Sequence, residues 1–184
     1  MKRVVVYDPC DEWSEAGRAT SQVDLGPCKE RVTFDEFTGN VLRYLDRERY
    51  SLAIVPGTDD ADEQAEQVAT LCAFMMHVGN VLVVLEEVGA YSFDNTHPAK
   101  AQKAINVVAN RGRHEELPMV MVCQRMVHMS KSTRAQLTAL ETFAQLDDDD
   151  VDAIAARTRN AAWVEEVPNL KRGQSRVWVS PLVS

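Results

Sequence analysis

VLVVLEE, residues 81–87, is the strongest structural signal in this sequence. Its first five residues are all apolar, with no polar residue alternating among them. A run of this kind is typical of a strand covered on both faces, as in a parallel sheet. Glu86 and Glu87 follow at once, at the sheet edge where α/β proteins bind ligands. The pair therefore predicts a functional site, and the alternative is a solvated pair at a strand end.

Similar apolar runs recur along the chain and alternate with helical patterns. This alternation predicts a three-layer α/β sandwich with a mostly parallel sheet. The other predicted strands are 3–7, 28–34, 51–56, 119–124 and 176–180, and the predicted helices are 36–48, 60–78, 99–113 and 147–167.

The carboxyl-terminal third is harder to interpret. Residues 133–146 fit a helix or a strand by period, and we expect a short helix followed by a strand near 140–146. The strand at 176–180 is predicted to close the domain as an edge strand, paired with the chain around 167–170 in a hairpin at about 165–182. The whole chain, 1–184, is predicted to form a single core domain.

Composition limits the functional class. With 28 acidic and 20 basic residues, the chain is unsuited to coating nucleic acid over a broad surface, although a local basic patch is compatible with it. No apolar stretch approaches the roughly 20 residues that span a bilayer, and no secretory signal begins the sequence. We therefore expect a cytoplasmic protein. The four cysteines form no CxxC pair, which argues against a zinc ribbon and favours reduced thiols.

Two strand ends carry residues suited to phosphate chemistry. A metal-bound phosphate needs one acid to hold Mg²⁺ and a second to orient or deprotonate the attacking water, and Glu86 and Glu87 suit those tasks in that order. MVMVCQR, residues 119–125, presents Gln124 after another apolar strand. A neutral amide there can contact a γ-phosphate or position water, although a polar residue is also ordinary at a turn.

Taken in order, four segments resemble the additional-strand P-loop ATPases, specifically the FtsK and HerA type of DNA translocase and the related viral genome-packaging ATPases. VVVYDPCDEW at 4–13 is similar to the family's second strand with its acids, and VLVVLEEVGAY at 81–91 is similar to its Walker B strand. NRGRHEELPMVMVCQR at 110–125 is similar to its arginine-bearing turn with the sensor strand. MSKSTRAQLTALETFAQLDDDDVDAIA at 129–155 is similar to its closing helix, strand and acidic run.

The resemblance implies roles for residues at the strand ends. Glu86 matches the Walker B acid near Mg²⁺, with glutamate in place of the commoner aspartate, and Glu87 matches the catalytic glutamate. Gln124 matches the sensor. Asp8 and Glu12 would line the same crevice and contact the nucleotide.

The resemblance also implies contacts beyond the single chain. Arg111 or Arg113 matches the residue that reaches into a neighbouring subunit's nucleotide site, and the alternative is a surface side chain near a helix end. The loop YSFDNTHPAK, residues 91–100, lies where such motors carry substrate-contacting loops. The expected partners are further copies of the chain in a ring, and DNA.

One family motif is absent from the sequence, the phosphate-binding loop GxxxxGK[ST]. Family members place it ahead of the strand that begins here at Val4, so the fold class is P-loop NTPase-like with the first strand and P-loop missing. In the family that strand lies between the sensor strand and the strand near 140–146. Either the protein starts upstream, and is an ATPase that uses ATP and Mg²⁺ to move DNA, or it is a non-hydrolysing scaffold that has lost nucleotide binding.

Overall fold

A computed structural model describes residues 3–14, 28–91 and 99–181. The loop predicted to contact substrate falls largely outside this part, at 92–98. The chain divides into two compact units, 1–123 and 124–184. The assignment of 1–184 to a single domain stays a prediction. None of the helices in the described ranges is long and apolar enough to span a bilayer.

The first unit is built on a five-stranded sheet with the order β2-β3-β1-β4-β5. Every neighbouring pair in it is parallel, which confirms the predicted α/β class. The strands are β1 (Arg3–Tyr7), β2 (Glu30–Thr33), β3 (Tyr50–Val55), β4 (Leu82–Leu85) and β5 (Met119–Met121).

Alternate residues of these strands point to opposite faces of the sheet. On one face Tyr7 and Leu85 pack in a large apolar cluster with Leu71 and Ile105 from two of the helices. On the other face Val6 packs in a second cluster with side chains that include Trp13. The helices of this unit are α1 (Phe34–Gly39), α2 (Val41–Leu45), α3 (Ala61–Val78), α4 (Val88–Tyr91) and α5 (Ala99–Arg111), and a short 3-10 helix, Gly112–Glu115, follows α5.

The single helix predicted at 36–48 is wrong in one respect, because α1 and α2 are separate. Thr33 caps α1 with a capping box, in which its hydroxyl accepts a hydrogen bond from the Glu36 N–H and the Glu36 carboxylate accepts one from the Thr33 N–H. The helix then stops at Gly39, and Asn40 leaves the helical region with φ −120° and ψ 20°. Glycine and asparagine have low helix propensity, so the helix ends at Gly39-Asn40 although apolar residues continue at helical spacing beyond it.

The second unit contains a 3-10 helix (Met126–His128), α6 (Lys131–Gln136), β6 (Ala139–Thr142), α7 (Asp148–Thr158), α8 (Trp163–Glu166) and β7 (Arg176–Val179). The predicted split of 133–146 into a short helix and a strand agrees with α6 and β6. The helix predicted at 147–167 is interrupted at Arg159, where φ is 54°.

The predicted hairpin at 165–182 is wrong. β7 pairs antiparallel with β6, with Leu140 opposite Trp178, and not with the chain around 167–170. That stretch follows α8, and Val167 is fully buried in a cluster with Ile154 and Trp163. Burial of Val167 against the helices therefore takes the place of strand pairing.

Candidate functional site

The carboxyl ends of β1 and β4 lie side by side at the centre of the sheet. Tyr7 is paired with Leu85, so Asp8 and Glu86 each follow one residue beyond a paired position. The Glu86 N–H donates to the Tyr7 carbonyl at 3.1 Å, which continues the pairing. The strand order thus brings two predicted site acids to one edge of the sheet.

Asp8 is a fully buried carboxylate that holds the loop after β1. Its Oδ1 accepts a hydrogen bond from the Glu12 N–H at 3.1 Å and its Oδ2 accepts one from the Trp13 N–H at 2.9 Å. Burial raises the pKa of Asp8, against the lowering effect of these bonds. Asp8 thus has a structural role, which is to hold the loop after β1. The Glu12 side chain is exposed. Nucleotide contact by either residue stays a prediction.

Glu86 is half-buried, and its Oε1 accepts a hydrogen bond from the Trp13 indole N–H at 2.9 Å. The Tyr91 hydroxyl donates to the Glu86 carbonyl at 2.7 Å. Burial raises the pKa of Glu86, and the negative charges of Asp8, Glu87 and Glu12 raise it further, while the Trp13 bond opposes them. Three neighbouring carboxylates therefore raise the pKa of Glu86 at this end of the sheet.

Glu87 adopts a left-handed backbone conformation, with φ 49°. Residues other than glycine adopt this region rarely, and it occurs often where a site needs a particular geometry. The Glu87 carbonyl accepts a hydrogen bond from the Ala90 N–H at 2.8 Å, and α4 begins at the next residue. The turn between strand and helix thus sets the position of Glu87 beside Glu86.

We expect Glu86→Gln to stabilise the protein at neutral pH. The raised pKa means that the folded state binds a proton which the unfolded state releases, so stability falls as pH rises from the unfolded value, about 4.3, through the folded one. Glutamine carries no charge and can still accept the Trp13 bond. Urea unfolding at pH 7 and near pH 4 should therefore show a gain that disappears in acid.

The matched control for this prediction is Glu48→Gln, since Glu48 is exposed beyond α2. It should change stability by no more than about 0.5 kcal/mol at either pH. A loss of stability in Glu86→Gln at pH 7 would contradict a destabilising charge at Glu86.

The predicted arginine turn lies at the opposite, amino edge of the sheet. Arg111 ends α5 and is exposed, and Arg113 lies in the 3-10 helix, with its side chain outside the described part. The Asn80 N–H, just before β4, donates to the Glu115 carbonyl at 2.8 Å. The structure therefore does not bring either arginine to Glu86 and Glu87 of the same chain.

Gly112 allows the chain to turn tightly at this point. A Cβ atom there would lie 2.9 Å from the Leu117 carbonyl oxygen and 3.3 Å from Val108. We expect Gly112→Ala to destabilise the protein by about 1–3 kcal/mol, because backbone must move to accept the methyl group. Gly39→Ala is the control, since a Cβ at Gly39 meets nothing within 4 Å, and it should be neutral or stabilise by up to about 1 kcal/mol. Equal effects in urea unfolding would contradict this account.

Gln124 begins the second unit and is exposed. Its carbonyl accepts a hydrogen bond from Gln145 Nε2 at 3.3 Å. Because Gln124 and the glutamate pair lie in separate units, their predicted grouping in one crevice stays a prediction.

The sequence interpretation missed Asp150, which anchors the loop after Gln124. Asp150 is fully buried, and it accepts hydrogen bonds from Arg125 Nε at 2.8 Å and from the Val127 N–H at 2.9 Å. The three aspartates before it are exposed, and Asp147 is the N-cap of α7, where the helix dipole favours a negative charge. Spacing was the available signal, since Asp150 shares its helix face with the buried Ile154.

The sequence matches a known family over a part of the chain that includes Glu86 and Glu87. Residues 60–165, more than half of the chain, match the profile of the family described as Poxvirus A32 protein. The chain belongs to this family. Comparison with curated proteins found no match.

Solved structures also resemble this member of the A32 family. The genome packaging NTPase B204 from Sulfolobus turreted icosahedral virus 2, in complex with AMP, matches with a TM-score of 0.64 and 11% identity, over 100% of this chain and 80% of that chain. B204, the DNA-packaging ATPase from Sulfolobus Turreted Icosahedral Virus, matches with a TM-score of 0.56 and 13% identity, over 98% and 83%. VirB4 of Thermoanaerobacter pseudethanolicus matches with a TM-score of 0.55 and 15% identity, over 73% and 40%.

At these identities the structural likeness shows the fold, and it confirms the predicted α/β fold of the P-loop NTPase type. The family match and the fold together confirm the resemblance to packaging-type P-loop ATPases.

Proposed function

We propose that the chain is the ATPase core of a genome-packaging motor. The observation that carries the proposal is the position of Glu86 and Glu87, directly after the inner strand β4 of a parallel sheet and beside Asp8 at the end of β1. Membership of the A32 family and the fold shared with the packaging NTPase B204 support it. B204 has been solved with AMP, AMPPCP and ATP-gammaS, which supports a nucleotide as the ligand.

Glu86 is the residue proposed to hold Mg²⁺. Within the described ranges no group of three or more His, Cys, Asp or Glu side chains could hold a metal ion. Mg²⁺ keeps several waters and is usually bound through one or two carboxylates and the substrate's phosphates, so a single accessible carboxylate here is a suitable ligand for it. Bound there, Mg²⁺ would neutralise charge that develops on the phosphates. Asp8 is fully buried and bonded to backbone N–H groups, so Glu86 is the more accessible of the two carboxylates.

Glu87 is proposed to orient and deprotonate the attacking water. A general base must lie within hydrogen-bond reach of the proton that it abstracts. Glu87 directly follows Glu86 at the end of β4, so it would lie close to a water bound beside Mg²⁺. Gln124 is proposed to contact the γ-phosphate as a sensor. These two roles rest on the strand ends and on the family resemblance.

Arg111 or Arg113 is proposed to act on the nucleotide of a neighbouring subunit in a ring. Their turn lies at the sheet edge opposite Glu86, which fits a contact made outward to another copy of the chain. Positive charge supplied in this way stabilises the transition state of phosphoryl transfer. DNA as the transported substrate, and the cytoplasm of a host cell as the location, belong to the same proposal.

Calorimetry with ATP and Mg²⁺ tests the proposal. The phosphate-binding loop GxxxxGK[ST] is not among the 184 residues, so the protein should be produced with everything that its reading frame encodes ahead of Met1. We expect micromolar binding of Mg²⁺ and ATP and measurable release of phosphate. A protein that binds no nucleotide would instead be a non-hydrolysing scaffold, and the ATPase proposal would fail.

A further inference from the structure

The Glu86 side chain is held by a tryptophan that no sequence motif predicts. The backbone of Glu86 is held at two points, by the Tyr7 carbonyl and by the Tyr91 hydroxyl. Its carboxylate is oriented by the Trp13 indole, whose N–H donates to Oε1 at 2.9 Å. The position of that carboxylate therefore depends on how firmly Trp13 is held.

Trp13 is itself firmly fixed. Its side chain is buried and packs with apolar residues of β1 and β4, Val6 and Val84. The backbone N–H of Trp13 donates a hydrogen bond to Asp8 Oδ2 at 2.9 Å, and its backbone carbonyl accepts one from the Cys28 N–H at 2.6 Å. Since an indole has only two side-chain torsions, packing on the ring and bonds at the backbone together leave it little freedom.

An indole is a suitable partner for a carboxylate that is to bind a cation. It donates one hydrogen bond and carries no positive charge, so it orients the carboxylate without competing with the cation for it. The nearby Asp11, by contrast, has a positively charged partner, because it forms an ion pair with Arg31 at 2.7 Å. In the described part of the chain, neither Asp8 nor Glu86 forms such an ion pair.

We propose that Trp13 is a positioning residue, which holds the Glu86 carboxylate for Mg²⁺ and couples it to the loop fixed by Asp8. This inference deepens the proposed function and rests on it. It assigns no contact between Trp13 and the nucleotide.

The test uses the full-length protein, produced with everything that its reading frame encodes. It changes one group, the indole N–H of Trp13. Benzothienylalanine at position 13 has sulfur in place of the indole N–H, so it keeps the packing of the ring and removes the donor. Mn²⁺ serves as the probe, and its binding in the presence of ATP is measured by electron paramagnetic resonance. We expect the Mn²⁺ concentration for half-occupancy to rise by about 10- to 100-fold, the usual effect of losing a partner of a metal ligand. Calorimetry should show unchanged binding of metal-free ATP.

The same replacement at Trp163 is the matched control, because Trp163 is equally buried and its indole forms no hydrogen bond within the described residues. It should leave Mn²⁺ binding unchanged. Unchanged Mn²⁺ binding in the position-13 protein, or an equal loss of metal-free ATP binding, would overturn the role of Trp13 alone. A wild-type protein that binds neither Mn²⁺ nor ATP would overturn the proposed function, and this inference with it.

Discussion

Glu87→Gln should lower ATP turnover by about 10²- to 10⁴-fold, the contribution that a general base usually makes. Glutamine has nearly the same shape as glutamate and can orient a water molecule, but it cannot accept its proton. Because Glu86 and the rest of the site are unchanged, binding of ATP and Mg²⁺ should be largely retained. Steady-state phosphate release and calorimetry on the full-length protein measure the two quantities separately.

The comparison variant for turnover is Glu48→Gln, which makes the same chemical change at an exposed position beyond α2. Its turnover should equal that of the wild type. Hydrolysis retained in Glu87→Gln would show that another residue is the base, whereas loss of ATP binding would show that Glu87 acts on the ligand itself.

Asp8→Ala should destabilise the protein by about 1–3 kcal/mol, the cost of one buried unsatisfied group. The substitution leaves the backbone N–H groups of Glu12 and Trp13 without their acceptor, and only the bond to Trp13 is buried. Part of this loss is offset, since burial raises the pKa of Asp8 and its charge is unfavourable in the fold. Urea unfolding at neutral pH measures the difference.

Asp59→Ala provides the reference for Asp8→Ala, because Asp59 is an exposed aspartate in the same unit. It should change stability by no more than about 0.5 kcal/mol. If Asp8→Ala were as stable as Asp59→Ala, the loop after β1 would not depend on the Asp8 carboxylate. Asp8 would then be better explained by the predicted contact with a nucleotide.

The elements predicted most accurately are those with strong local signals. β1 was predicted at 3–7 and spans Arg3–Tyr7. The helix predicted at 60–78 is α3, Ala61–Val78, with Asp60 as its N-cap and Gly79 after its last residue. An apolar run, a capping side chain and a terminal glycine all act within a few residues, and a sequence shows them directly.

The errors occur where a distant contact or a competing local signal outweighs the pattern. β7 was assigned to the wrong partner, because pairing with β6 joins residues far apart in the sequence. The apolar period of 36–48 concealed the break at Gly39 and Asn40. Asp150 is buried whereas the three aspartates before it are exposed, and four identical residues in a row do not show which of them the fold buries.

By itself the sequence determined the alternation of strands and helices, the parallel class of the sheet, and the presence of Glu86 and Glu87 at a strand end. Periodicity and capping are local, so they need no knowledge of neighbours. Only the tertiary structure decided the strand order that places Asp8 beside Glu86, and the bond from Trp13, 73 positions earlier in the chain. Such contacts form because packing of the sheet brings distant segments together. Patterns within short stretches of sequence do not predict which segments will meet.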